Sequence, residues 1–130
     1  MCHQVFRRIV RLKVGKQQKN QQIVYKKIEN KGIAANTNAA ARLAQGEYLA
    51  LADHDDILAP HAIYCMGKEL QKTGADFAYS DEALFRKSPK TAHVAHFKPD
   101  YAPEYLMACN YICHLAVFRK SLFDAIGGTG

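Results

Sequence analysis

The sequence predicts one α/β domain, built on a sheet whose early strands are parallel. Strand-like and helix-like segments alternate along 130 residues, a length that supports one hydrophobic core rather than two. An apolar content of 48% and a charged content of 23% are typical of a soluble globular protein. No apolar run approaches the ~20 residues of a membrane span, and the start of the chain lacks the apolar core of a signal peptide. These features predict a cytoplasmic protein.

The first half of the chain predicts a strand, a helix and a second strand. Residues 23–28 are rich in β-branched and aromatic side chains, which favours a strand. Residues 33–44 are rich in alanine and are followed by Gly46, a pattern typical of a helix with a glycine stop. Residues 48–52 form a short apolar run that predicts a buried strand.

The second half continues the alternation. Residues 60–72 predict a helix because Pro60 opens the segment and Gly74 follows it, with a buried stripe at Ile63, Met66, Gly67 and Leu70. Residues 76–79 predict the next strand, ending in the polar residues 80–82. The remaining predicted elements are a weak strand, a short helix, a strand and a final helical segment, at residues 93–98, 104–108, 112–118 and 119–125.

Three carboxylates, Asp53, Asp55 and Asp56, crowd the end of the strand at residues 48–52. Like charges this close repel each other, so a hard divalent cation such as Mg²⁺ or Mn²⁺ would stabilise them. Asp53 and Asp55 alternate and would project to one side of an extended segment. Asp56 would point the other way and cap the following helix or brace the loop. The alternative is an acidic helix-cap cluster without metal.

The positive charge of the chain is concentrated at its start. Residues 1–31 hold nine Lys or Arg residues and a single acid, Glu29, whereas the whole chain has a net charge of +6. Such a segment can bind phosphates, anionic lipid or nucleic acid, or can be a solvated face. Only Phe6 and Tyr25 are aromatic there, so no stacking platform for nucleic acid is indicated.

The four cysteines, Cys2, Cys65, Cys109 and Cys113, are expected to be reduced and buried as small apolar groups. A zinc site using Cys109, Cys113 and neighbouring histidines is an alternative, with candidates at His93, His96 and His114. The spacing lacks the paired pattern of a structural zinc site, so the alternative is weaker.

Five sequence blocks, in order, resemble the middle of a family 2 glycosyltransferase with the GT-A fold. They are residues 30–38, 46–60, 75–82, 96–100 and 109–128, beginning with Asn-Lys-Gly and including Ala-Asp-His-Asp-Asp. The closest resemblance is to the rhamnosyltransferase-like branch that builds cell-surface polysaccharides. It implies a Rossmann-like, three-layer α/β/α nucleotide-diphospho-sugar transferase fold with a mostly parallel sheet, truncated at both ends. Residues 1–22 would be a basic lead-in and residues 23–130 a partial domain.

The resemblance also implies roles for particular residues. Asp53 and Asp55 match the D-x-D pair that holds the donor's ribose and a divalent metal, Mg²⁺ or Mn²⁺, with Asp55 in direct metal contact. Asn30, Gly32 and Asn38 match the segment that shapes the nucleotide pocket. Many members carry an arginine where this chain has Thr37, which removes one expected donor contact. His54, between the two aspartates, is expected to be structural.

Asp81 and Glu82 match residues near the sugar or the acceptor. Either could supply the general base in this chain, although the family's usual base motif would follow residue 130. The implied partners are a UDP- or dTDP-sugar donor and a glycan acceptor, with no nucleic acid. Peripheral contact with the inner face of the membrane and self-association through open sheet edges are further expectations. The alternative function is an inactive nucleotide-sugar-binding remnant or a partner subunit.

Overall fold

The computed structural model describes residue 24, residues 26–53 and residues 55–130. This part contains four helices and five strands, with one 3₁₀ turn at Pro89–Thr91. In chain order they are α1 Ile33–Ala41, β1 Tyr48–Leu51, α2 Ala62–Thr73, β2 Phe77–Tyr79, β3 Glu82–Leu84, β4 Val94–His96, α3 Pro103–Ala108, β5 Ala116–Arg119 and α4 Lys120–Ala125. None of the helices in this described part is long and apolar enough to cross a membrane.

The main sheet has the strand order β1-β5-β2, and β5 is antiparallel to both of its neighbours. The predicted mostly parallel sheet is therefore wrong for the described residues. β1 and β2 do run in the same direction, as a crossover through α2 requires. They are not adjacent, however, because the later strand β5 lies between them, with Val117 opposite both Ala50 and Ala78.

Helices cover both faces of this sheet. On one face, Ala41 of α1 and Phe123 of α4 pack with Leu49 of β1. On the other face, Leu70 of α2 packs with Val117 of β5 and with Leu115, just before that strand. Successive strand residues point to opposite faces, so Leu49 and Ala50 contribute to different cores. The described residues therefore form helix, sheet and helix layers.

A small second ribbon pairs β3 with β4. Glu82 lies opposite His96 and Ala83 lies opposite Ala95. The polar residues predicted as a strand end at 80–82 thus lead directly into a strand, and Glu82 is its first residue.

Arg119, at the end of β5, ties the starts of β1 and β2 together. Its guanidinium donates hydrogen bonds to Asp76 at 2.6 Å, to the Tyr48 hydroxyl at 2.6 Å and to Glu47. The guanidinium carbon also lies 4.7 Å from the centre of the Tyr48 ring, a cation–π geometry. The planar, multi-donor head of arginine suits this shared position.

Most predicted elements are confirmed, with shifted ends. α1 stops at Ala41, three residues before the predicted end, because Leu43 and Ala44 continue in tighter turns that bond to the carbonyls of Ala40 and Ala41. α2 ends at Thr73, one residue after the predicted end, and Gly74 caps it at φ 68°. Of its predicted buried stripe, Leu70 is buried and Met66 packs on the core, whereas Ile63 is 52% exposed.

The predicted strand at residues 23–28 is wrong for its described part. Val24 and residues 26–28 are exposed and form no strand, since no described segment hydrogen-bonds alongside them. The last strand begins at Ala116 rather than at residue 112, because the chain turns at Cys113, where φ is 37°. The basic segment up to residue 23 lies outside the described residues.

Candidate functional site

Polar segments converge at one end of the main sheet, where strands β1 and β2 finish. Asp53 follows the end of β1, and Asp81 follows the end of β2. Because β5 is antiparallel to both strands, it begins at the end of the sheet where β1 and β2 finish, with Ala116 opposite both Leu51 and Tyr79. The segment before β5, residues 111–115, therefore meets the two acidic segments.

Asp53 lies close to this segment. Its Oδ2 atom lies 3.8 Å from Nε2 of His114, and its side chain is 40% exposed. Asp55 is exposed in the following turn, and Asp56 is half-buried. The placement of His54 lies outside the described residues. Asp53 thus faces a histidine that the sequence analysis did not place at the acidic cluster.

The alternative of an acidic helix cap is wrong. The N-cap residue of α2 is His61, and no acidic residue lies in the first turn of the helix. Asp56 therefore does not cap α2. Of its two predicted roles, only bracing the loop between β1 and α2 is left. The carboxylates Asp53 and Asp55 stay close to the end of β1, where the sequence placed them.

The carboxylate oxygens of Asp53 and Asp55 fit a hard divalent cation in chemical type. The part of the chain that the structure describes contains no group of three or more His, Cys, Asp or Glu residues that could hold a metal ion. A cation here would accordingly take few protein ligands and complete its coordination with phosphate oxygens and water, which suits Mg²⁺ and Mn²⁺.

The same finding speaks against the zinc alternative, because the described cysteines and histidines do not gather into such a group. The expectation of buried cysteines is wrong for the three that are described: Cys65, Cys109 and Cys113 are exposed. Cys2 lies outside the described residues.

Glu82 is buried at the edge of the site and is held by two basic side chains. Its Oε2 lies 3.1 Å from the ammonium of Lys98, and its Oε1 lies 3.1 Å from Nδ1 of His96. The Lys98 side chain is only 1% exposed, so the Glu82 carboxylate offsets the cost of taking the ammonium out of water. The Lys98 ammonium also donates hydrogen bonds to the carbonyls of Ile112 and His114, each at 2.6 Å.

Asp81 joins the same group through the backbone. Its Oδ1 accepts a hydrogen bond from the Lys98 N–H at 2.8 Å. Lys98 thus contacts both predicted catalytic carboxylates and the segment before β5. The sequence analysis missed it, although it lies in the conspicuous block at residues 96–100. Period-two alternation with His96 was the available signal that both side chains face Glu82.

Cys113 lies close to this charge cluster. Loss of water around the sulfur raises the pKa of its thiol even though the residue as a whole is exposed. The negative charge of Glu82 raises that pKa further, while Lys98 opposes the effect. The thiol donates to the carbonyl of Asn110 at 3.1 Å. Cys113 is therefore more strongly protonated than an ordinary surface cysteine.

Asn30 and Gly32 form a turn at the start of α1. The Asn30 Oδ1 atom accepts hydrogen bonds from the Gly32 N–H at 3.2 Å and from the Asn36 amide at 2.8 Å. Gly32 has a φ of 92°, which disfavours any residue with a side chain. The turn borders an open cavity of about 460 Å³, whose lining includes Lys31, Asn36, Asn38 and Arg42.

Asn38 also lines this cavity, but its side chain forms hydrogen bonds with Thr129. Its amide donates to the Thr129 carbonyl at 3.0 Å, and its Oδ1 accepts from the Thr129 N–H at 2.9 Å and from the Thr129 hydroxyl at 3.0 Å. A Cβ atom on Gly128 would lie 2.5 Å from that same oxygen. Asn38 therefore anchors the Gly128–Thr129 segment to α1.

The protein is thus an α/β protein with acidic residues grouped at one end of its main sheet. Asp53 faces His114, and Asp81 and Glu82 contact Lys98. The sequence profile of glycosyl transferase family 2 matches residues 11–127, and the chain belongs to this family. The chain is 38% identical over 92 residues to the uncharacterized protein y4gI of Sinorhizobium fredii, a match covering 70% of this chain and 10% of that protein. It is 28% identical over 97 residues to the O-antigen biosynthesis protein RfbC of Myxococcus xanthus, covering 73% of this chain and 8% of that protein.

The chain therefore spans about a tenth of the length of these relatives. No solved structure gives a significant match. Membership of the family implies the GT-A fold. The described residues contribute a mixed α/β part whose observed strand pairings are antiparallel.

Proposed function

We propose that this chain forms the donor-binding part of a glycosyltransferase that acts in polysaccharide synthesis. It would take a sugar from a UDP- or dTDP-sugar and transfer it to a cell-surface glycan. Family membership supports the reaction class, and the name of the M. xanthus relative, an O-antigen biosynthesis protein, supports the acceptor class. The observation that carries the proposal is the position of Asp53 and Asp55 at the carboxyl end of β1, where α/β sheets bind ligands.

In this proposal, Asp53 and Asp55 hold Mg²⁺ or Mn²⁺, and Asp53 also contacts the donor's ribose. The bound cation would neutralise the charge that develops on the leaving diphosphate. Asn30 and Gly32 shape the nucleotide pocket through their turn at the start of α1. Asn38 borders the same cavity from α1, while it anchors Thr129.

We assign Asp81 and Glu82 to the side of the sugar and acceptor. Both oxygens of Glu82 lie against basic side chains, so its main contribution is to fix Lys98 and His96. Asp81 is the better candidate for a base within this chain, because the partner of its Oδ1 is a backbone N–H rather than a charged group.

A thermal unfolding assay with UDP or dTDP tests the donor-binding role. A ligand that binds only the folded state at one hundred times its Kd stabilises the protein by about 2.7 kcal/mol. We expect such stabilisation with Mn²⁺ and nucleotide together, and its loss in Asp55→Asn. Asp124→Asn, which removes an exposed carboxylate on α4, is the matched control and should retain it. Equal stabilisation of wild type and Asp55→Asn would show that the site assignment is wrong.

The second candidate is a binding module without turnover, favoured by the engagement of Glu82 with Lys98 and His96. It would bind the same nucleotides but would not release sugar from any donor. Donor hydrolysis that disappears in Asp55→Asn would exclude it.

Several expectations stay predictions. These are the division at residues 22 and 23, self-association through sheet edges and peripheral membrane contact. Binding of nucleic acid or anionic lipid by the basic segment would weaken steeply as the salt concentration rises. Nucleotide binding at the acidic site would instead require the divalent metal, so the two kinds of binding can be distinguished.

A further inference from the structure

The Lys98 ammonium is almost wholly buried. It donates hydrogen bonds to the carbonyls of Ile112 and His114, each at 2.6 Å, and it forms an ion pair with the Glu82 carboxylate at 3.1 Å. The two carbonyl contacts are short, as expected when the donor carries a charge.

These two carbonyls flank Cys113, whose backbone is in an uncommon conformation. Its φ of 37° is rarely adopted by a residue with a side chain and persists only where the surroundings hold it. Lys98 supplies such a hold on both sides of the residue. The segment it fixes carries the His114 ring, which faces Asp53 at 3.8 Å.

We propose that Lys98 is a positioning residue of the donor site, which sets the 112–114 segment so that His114 lies against Asp53. The inference rests on the proposed function for its relevance to the donor, but not for its geometry. Lys98 reaches the acidic cluster through His114, without contacting Asp53 itself. It connects that cluster to the Asp81 and Glu82 side of the site, because it contacts both of those residues as well.

The partners of Lys98 have separable roles. Glu82 balances the buried charge, whereas the two carbonyls receive the positioning contacts. Replacing Lys98 alone would leave the Glu82 carboxylate buried without its countercharge, and could unfold the chain. The double variant Glu82→Gln with Lys98→Met removes both charges at similar side-chain volume. It retains a foldable core but lacks the ammonium that holds the 112–114 segment.

The first measurement is the NMR signal of the His114 ring in the full 130-residue chain, with and without Asp53→Asn. A pH of about 8.5, roughly two units above the ordinary imidazole pKa, keeps ordinary imidazoles neutral. In the wild-type background we expect Asp53→Asn to shift the His114 ring signals. In the double-variant background the shift should fall to less than half, because the ring no longer lies against Asp53. An undiminished shift in the folded double variant would overturn the proposal.

Val117→Ala provides the matched control for stability. Val117 is buried in β5 and contributes to the core between the sheet and α2. This variant lowers stability without touching Lys98, so it should retain the full effect of Asp53→Asn on the His114 ring. Loss of that effect in Val117→Ala would show that general loosening, rather than Lys98, controls the position of His114.

The second measurement is the affinity for UDP with Mn²⁺. We expect the double variant to bind at least tenfold more weakly than wild type, and Val117→Ala to bind within twofold of it. Unchanged affinity in the double variant would refute a role for Lys98 in the donor site. If the wild type does not bind Mn²⁺ and UDP, the proposed function fails, whereas the NMR measurement still decides whether Lys98 positions His114.

Discussion

Substitution of Asn38 tests its role directly, because the family resemblance and the structure assign this residue different roles. The resemblance implies a contribution to the nucleotide pocket, whereas the structure gives it three hydrogen bonds to Thr129. Asn38→Ala removes all three. At about 1 kcal/mol for each hydrogen bond, with some recovery from water, we expect a loss of about 2 kcal/mol in the free energy of unfolding.

Urea denaturation measures this loss. With a slope of roughly 1–3 kcal/mol/M for a small domain, the midpoint should fall by about 1 M. Thr37→Ala, in the same turn of α1, is the matched control and should change the midpoint little. An unchanged midpoint in Asn38→Ala, accompanied by weaker UDP binding, would refute the anchoring role and favour the nucleotide pocket.

Gly128 makes the test more specific. An alanine there would place its Cβ 2.5 Å from the Asn38 oxygen and would also be strained at a φ of 94°. We expect Gly128→Ala to be more harmful in wild type than in the Asn38→Ala background, where only the backbone strain of about 1–2 kcal/mol remains. Additive effects in this double-mutant cycle would contradict the close contact between the two residues.

Two further predictions concern the core and the charge cluster. Leu115→Ala should cost about 2–5 kcal/mol because Leu115 is only 1% exposed, whereas Met107→Ala, at a side chain 90% exposed, should cost less than about 0.5 kcal/mol; equal urea midpoints would contradict the assigned core. At mildly alkaline pH, mass spectrometry should show Cys113 alkylated more slowly than a cysteine of ordinary pKa, because its raised pKa lowers the thiolate fraction. Glu82→Gln should accelerate this reaction by removing a nearby negative charge, and an unchanged rate would contradict that influence. Since folding favours the protonated thiol, the stability it contributes is full below the ordinary thiol pKa and is lost as pH rises through the raised value.

Local signals predicted much of the architecture. The alanine-rich pattern located α1, and the Pro60 and Gly74 boundaries located α2 to within two residues. The apolar run before the aspartates located β1. These predictions succeed because propensity, capping and burial act over a few residues and agree with one another.

The sheet order could not be predicted in the same way. The α2 crossover correctly implied that β1 and β2 run in the same direction, but nothing near either strand signals that β5 lies between them. Pairing of Leu49 with Phe118 joins residues far apart in the chain, and it depends on the whole core rather than on local preference.

In the candidate site, too, some residues could be predicted from local sequence and others could not. Asp53, Asp55, Asp81 and Glu82 were identifiable as candidates, because polar residues at strand ends are conspicuous. The buried position of Lys98 was not, since its alternation with His96 gives the side to which it points but does not distinguish a buried lysine from an exposed one. Its role depends on Glu82 and on the 112–114 segment, which only the folded chain brings together.

Calorimetric titration of UDP into the folded chain, with and without Mn²⁺ and repeated with dTDP, tests the central claim most directly. The account predicts binding that requires the metal, persists in Asp124→Asn and is lost in Asp55→Asn. Binding that is independent of the metal, or equal in wild type and Asp55→Asn, would contradict the assignment of Asp53 and Asp55 as the donor site.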